Sequence, residues 1–198
     1  MSVNIASTAV IDPRANIDSG VRIGHFCVIG PDVTILRGTV LENNVTVTAR
    51  TRIGEDNHLF PGVVIGGAPQ DLSYREEPTA IEIGNANVFR EGCTVNRATT
   101  KEDRVTRIGD HCFFMTGSHI AHDCKIGDRV VTANNMMLGG TSTSITTSRS
   151  VAASASRTLP RSAPFPSSAR CRASSTTSLP SCSAKASRAS RGASTWWG

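Results

Sequence analysis

Residues 17–35 read IDSGVRIGHFCVIGPDVTI. Ile17, Ile23, Ile29 and Ile35 fall at every sixth position, and Gly24 and Gly30 each follow one of them. The spacing runs outward without a slip. Ile11, Ile17, Ile23, Ile29, Ile35, Leu41, Val47, Ile53, Leu59 and Ile65 are ten aliphatic residues six apart. It resumes at Ile83, Phe89 and Val95, and again at Ile108, Phe114, Ile120, Ile126 and, past Thr132, Leu138. An amphipathic helix repeats near 3.6 residues and a half-buried strand at 2, so a period of six suits neither. It fits a solenoid of short strands and turns, with one aliphatic side chain per hexad pointing inward and three hexads closing a coil. Coils would stack by backbone hydrogen bonds about 4.8 Å apart, placing residue i beneath residue i+18. Gly after the aliphatic residue is expected at a corner that needs backbone angles other residues avoid. The expected fold class is all-β, a parallel β-helix.

Composition agrees with that. Aromatic residues make up 5% of the 198-residue chain, so its core must be aliphatic. Charge is divided unevenly. All 16 Asp and Glu lie in residues 1–140 beside 13 Lys and Arg, which leaves that body at −3; residues 141–198 hold 8 Lys and Arg and no acid. The net charge of +5 therefore describes the tail and gives the body no nucleic-acid footprint. The cysteines at 27, 93, 112, 124, 171 and 182 contain no C-x-x-C pair, which predicts buried thiols in a reducing compartment. No apolar run approaches about 20 residues and no charged-then-apolar segment opens the chain, so neither a membrane span nor an export signal is expected. The expected location is the cytoplasm.

Two interruptions break the phase, at residues 66–82 and 98–107. Insertions in solenoids form loops that often build the binding face. A third change of character comes after Gly140, dividing a β-helix domain, 1–140, from a Ser- and Arg-rich tail, 141–198. Ser makes up 17 of the tail's residues, and such a composition buries too little apolar surface to offset ordering entropy, which predicts a disordered basic segment. A second reading is that the tail is a frameshift product. Extending the sixfold phase from Leu138 lands on Ser144, Ser150, Ser156, Ser162, Ser168 and Ser174. A Val-Gly pair encoded GTC-GGN and read one nucleotide late gives TCG, a Ser codon.

The chemistry concentrates in HIAHDCKIG, residues 119–127, where His119 and His122 flank Ile120 and Asp123 follows directly. Gly140 lies eighteen residues beyond His122, so it is expected one coil above it. A His beside a carboxylate suits general-base catalysis, and a nearby Gly N–H suits an oxyanion. The spacing alone fits equally well a surface His beside a turn Asp.

Four stretches carry a resemblance: PQDLSYREEPT (69–79), EIGNANVFREGCTVNRAT (82–99), HIAHDCKIG and ANNMMLGG (133–140). Residues 8–140 resemble the acyl-carrier-protein-dependent UDP-N-acetylglucosamine O-acyltransferases of lipid A synthesis, which are hexapeptide-repeat transferases. The resemblance implies a left-handed helix, a cytoplasmic homotrimer, acyl carrier protein and UDP-N-acetylglucosamine as partners, and neither cofactor nor metal. It implies that His122 removes the proton from the sugar 3-hydroxyl, Asp123 orients His122, and the Gly140 N–H meets the oxyanion. Asp71 and Gln70 would hold glucosamine hydroxyls, and His119 would line the pocket. The family usually has Lys, which helps position the sugar or its phosphates, where this chain has Ser73, and HRGT where it has NRAT (96–99). In the family the helix continues for about three further coils and ends in a small helical domain. A chain ending in this tail is therefore expected to have impaired turnover. The family's His-Val-x-Val continuation, read one nucleotide late, gives the Thr-Ser-Thr-Ser of residues 141–144. Two further readings are a γ-type carbonic anhydrase, with His119 and His122 on zinc, and a non-catalytic scaffold with a basic tail.

Overall fold

In a computed structural model of the chain, residues 4–141 are described, and the disorder or frameshift expected of the tail lies outside them. These residues form twenty short strands, from Asn4–Ile5 to Met137–Leu138, and no helix. The strands lie in three parallel sheets of seven, seven and six, and each sheet takes every third strand. This is the left-handed parallel β-helix. Its coils are joined by ladder bonds such as Val10 N–H to Cys27 O, 2.8 Å, and Val28 N–H to Val45 O, 2.9 Å. The regular register is eighteen, as in Asn4 beneath Arg22 and Ile11 beneath Ile29. The ladder begins one hexad earlier than the sequence count, at Ile5, which is 43% exposed and has no coil beneath it among the described residues.

The core differs from the expected one inward residue per hexad: there are two. Ile23, Ile29, Ile35, Leu41, Val47 and Ile53 are buried, and so are the residues two positions before each, Val21, Cys27, Val33, Thr39, Val45 and Thr51. This second row is mostly Val, Cys, Thr and Asn, with Ile81 and Met136 among its larger members. Thr51 Oγ1 donates within its own coil, to Thr48 O and Ala49 O, both 2.7 Å, while other polar members bond to the next coil. Thr39 Oγ1 donates to Gly54 O at 2.8 Å, and Ser118 Oγ to Ala133 O at 3.1 Å. Cys27, Cys93, Cys112 and Cys124 all sit in this row, buried and outside any disulfide. Burial pushes the Cys27, Cys93 and Cys112 thiols up from their ordinary value, so they pack and do not react.

The glycines also have a different cause from the expected one. Left-handed backbone recurs every six residues, but three positions after the inward aliphatic: Gly20, Phe26, Asp32, Gly38, Asn44 and, further on, Asp123 and Asn135. Gly54 is not among them. A Cβ there would lie 2.4 Å from the Gly84 carbonyl oxygen of the next coil. At Gly24, Gly54, Gly84 and Gly109 the Gly after the aliphatic is required by close approach between coils, not by its own torsions, whereas Gly66 also has a positive φ of 96°.

Two coils are longer. His58 lies beneath Val88, 30 residues on, and Val88 beneath Phe113, 25 on. Strand pairing extends into both predicted interruptions. Val64–Gly67 and Ala80–Ile83 bound the first, and Thr94–Asn96 and Val105–Ile108 bound the second. Ala80–Ile83 pairs residue for residue with Val105–Ile108, so the two insertions enter and leave the stack in register. The stack itself stays closed: Phe89 and Phe114 are fully buried and stacked at 4.8 Å between ring centroids.

Candidate active site

The outward column of one sheet reads Val10, Val28, Thr46, Val64, Thr94, His119 and Met137. His119 stands on it because outward positions alternate with the buried Ile120. Thr94 Oγ1 lies 2.7 Å from His119 Nδ1 and fixes the ring's orientation. Partial burial, and secondarily the neighbouring His122, lower the His119 pKa, so this ring favours its neutral form.

His122 and Asp123 occupy the turn after this strand. Asp123 sits at the recurrent left-handed position, φ 60°, which turns its carboxylate back beneath the preceding ring. His122 Nδ1 is 2.8 Å from Asp123 Oδ2, and the two side chains are 16% and 1% exposed. The carboxylate has further donors. Thr99 N–H reaches Oδ1 at 3.0 Å, and Thr99 Oγ1 donates to Oδ2 at 2.6 Å. The Asp123 N–H donates to Thr106 Oγ1 at 3.0 Å. A buried carboxylate persists only with such partners.

Gly140 lies directly over the ring. A Cβ there would be 2.6 Å from His122 Cε1 and 2.8 Å from Nε2. The next residue anchors this stretch, Thr141 N–H donating to His122 O at 3.2 Å. The Nε2 edge of the imidazole therefore faces a bare backbone segment, which gives a proton acceptor and an N–H donor within one coil spacing of each other.

The substrate-side candidates lie in the first insertion. Asp71 receives the Ser73 N–H at 2.8 Å and the Ser73 hydroxyl at 2.7 Å on Oδ1, and Lys101 Nζ from the second insertion on Oδ2. The Lys101 hydrogen bond, then those from Ser73, holds the Asp71 carboxyl well below the usual carboxylate range. Gln70 is exposed, and Leu72 at the loop tip stands wholly in solvent. Arg97 Nε donates to Tyr74 Oη at 2.8 Å, and that hydroxyl donates to Glu77 O at 3.0 Å, tying the first insertion to the strand Thr94–Asn96. Asn96 is buried and its Nδ2 has no partner among the described residues. Also among these residues, no group of three His, Cys, Asp or Glu is arranged to hold a metal ion, and no helix is long and apolar enough to cross a membrane.

The structure thus brings His122, Asp123 and Gly140 together. It joins them to Asp71 through a chain of contacts that sequence reasoning did not find, which runs through Thr99 and Lys101. The signal for these two residues was the second insertion itself, but its length does not reveal where its ends converge.

The solenoid fits the hexapeptide-repeat class, and the chain matches the bacterial transferase hexapeptide (six repeats) family over residues 14–49 and 106–140. It is 48% identical over 136 residues to the acyl-[acyl-carrier-protein]–UDP-N-acetylglucosamine O-acyltransferase of Thermodesulfovibrio yellowstonii, a match covering 69% of this chain and 53% of that one. The protein of the same name in Herminiimonas arsenicoxydans is 45% identical, with 69% and 52% covered. The solved structure of LpxA from Acinetobacter baumannii superimposes with a TM-score of 0.69 at 46% identity, covering 70% of this chain and 54% of that one. Over the matched residues the chain belongs to the UDP-N-acetylglucosamine O-acyltransferase family. It spans about half the length of the curated relatives it matches.

Proposed function

We propose that this chain carries the general-base portion of an enzyme that transfers an acyl group from an acyl-carrier-protein thioester to the 3-hydroxyl of UDP-N-acetylglucosamine, the first step of lipid A synthesis. The observation that carries this reading is the His122–Asp123 pair at 2.8 Å, with Gly140 seated over Nε2. With Nδ1–H donated to Asp123, Nε2 holds a lone pair toward the open side. It accepts the hydroxyl proton as the sugar oxygen attacks the thioester carbonyl. The carbonyl becomes an oxyanion, which the Gly140 N–H meets, and Asp123 stabilises the imidazolium. Collapse expels the carrier thiolate, which takes the proton from Nε2 and restores the neutral ring. Asp71, with Gln70 beside it, contacts the glucosamine hydroxyls, and His119, kept neutral, lines the pocket.

The chain works as a homotrimer in the cytoplasm. The outward column that holds Val10, Val28, Val64 and Met137 among Thr46, Thr94 and His119 carries no formal carboxylate, Lys or Arg and supports self-association, whereas the third-sheet column holds Arg52, Glu82, Arg107 and Lys125. Buried thiols outside any disulfide suit a reducing compartment. Residues 141–198 are the same repeat read out of frame, for which the Ser register of 144 to 174 is the support. The nucleotide sequence past codon 140 tests it: a shifted frame without a hexapeptide pattern would refute it.

The catalytic reading is tested in a hybrid that joins residues 1–140 to the C-terminal portion of the Thermodesulfovibrio yellowstonii relative. The hybrid is expected to acylate UDP-N-acetylglucosamine, and His122→Ala to slow it by about 10²- to 10⁴-fold.

A further inference from the structure

We propose that Thr99 is a positioning residue for the His122–Asp123 pair, and that the second insertion exists to clamp Asp123. The inference rests on His122 being the base, as proposed above. Thr99 and Thr106 lie near the two ends of the insertion, and both reach Asp123. Thr99 holds the carboxylate through its N–H to Oδ1, 3.0 Å, and its hydroxyl to Oδ2, 2.6 Å. Thr106 Oγ1 accepts the Asp123 backbone N–H at 3.0 Å.

The direction of each bond is determined. A Thr hydroxyl has one hydrogen and can accept two. The Lys101 N–H occupies one acceptor site of Thr99 Oγ1 at 3.2 Å, and a carboxylate can only accept, so the hydroxyl hydrogen points at Asp123 Oδ2. That oxygen therefore receives two donors, Thr99 O–H and His122 Nδ1–H. The fixed carboxylate selects the Nδ1–H tautomer of the neutral ring and leaves the Nε2 lone pair under Gly140. Asp123 is 1% exposed, so no water substitutes for a lost donor without opening the turn. Without the hydroxyl, Asp123 keeps one Thr99 bond, from the backbone, and is free to swing about it. The ring's preference for one tautomer then weakens. Lys101 extends the device, since its side chain holds Asp71 while its N–H orients Thr99. The insertion thereby links the sugar-side carboxylate to the base.

The test uses the full 198-residue chain with nitrogen-15 histidine, observed well above the usual imidazole range, with His122 assigned by its loss in His122→Gln. In the parent, His122 is expected to show a protonated Nδ1 and an unprotonated Nε2. Thr99→Val should shift the tautomer ratio by about tenfold or more, the effect of one charge-assisted hydrogen bond. Thr99→Ser should match the parent. A parent-like ratio in Thr99→Val, or a Thr99→Ser that behaves like Val, overturns the proposal. If Thr99→Val does not fold, Thr99→Cys, a near-isostere with a weak donor, takes its place with the same two criteria. Acyl transfer that survives His122→Ala would instead remove the base assignment, and the tautomer ratio would still decide the role of Thr99.

Discussion

The coils from Asn4 to Leu59 and those from Ile65 to Leu138 are built from the same hexad, but they do different work. The first group keeps a register of eighteen throughout and presents no functional cluster. The second stretches its register to 30 and then 25, and every candidate site residue lies within it. The inward rows do not register the change, since Leu41 and Phe89 are both buried to within 1%. Stacking and chemistry are therefore separable here. The core is set by the residues at each sixth position and two before it, and the site by outward and turn residues of the later hexads together with the two insertions.

Core substitution probes whether the interrupted coils are packed as well as the regular ones, and it has the largest expected effect on folding. Phe89→Ala empties half of a stacked pair and should cost about 3–5 kcal/mol, against about 2–5 for Leu41→Ala. Both are read from urea unfolding. A Phe89→Ala loss below 1 kcal/mol would mean that the insertions loosen the stack.

Two glycines sharpen the distinction between structure and chemistry. At Gly54 a Cβ would meet the Gly84 carbonyl oxygen at 2.4 Å, so Gly54→Ala should destabilise the fold by roughly 1–3 kcal/mol. At Gly140 the nearest atom is His122 Cε1, at 2.6 Å. Gly140→Ala should destabilise the hybrid less than Gly54→Ala does, because a side chain and not backbone gives way, while lowering acyl transfer about a hundredfold by displacing the ring. Equal stability losses at the two positions would erase the distinction.

The smallest effect concerns pH. The His119 pKa is lowered by burial and then by His122, so the unfolded chain binds this proton first. Its effect on stability is absent above the ordinary imidazole value of about 6.5, grows as pH falls through that value, and levels off below the folded pKa. His119→Asn should flatten this acid-side decline in chemical unfolding curves. A steeper decline would reverse the assignment.

Much of this was legible in the sequence. The period of six gave the solenoid and its register, and that register alone put Gly140 over His122. Other features were not legible, for physical reasons. The second inward row holds Thr39, Asn57 and Ser118, residue types whose hydropathy does not announce burial; they are tolerated because each bonds to a neighbouring coil. The glycine after the aliphatic residue reads as a torsional requirement until the coil above it is placed. Thr99 looks like one more polar loop residue, and only the closed insertion brings it within 2.6 Å of a carboxylate 24 positions away.

The central claim is that His122, held by Asp123, is the base for acyl transfer to a sugar hydroxyl. The most direct test is the rate of acylation of UDP-N-acetylglucosamine by acyl-acyl-carrier-protein in the hybrid, with and without His122→Ala. The account predicts transfer that falls by about 10²-fold or more in the variant. Transfer at the same rate in both proteins would contradict it.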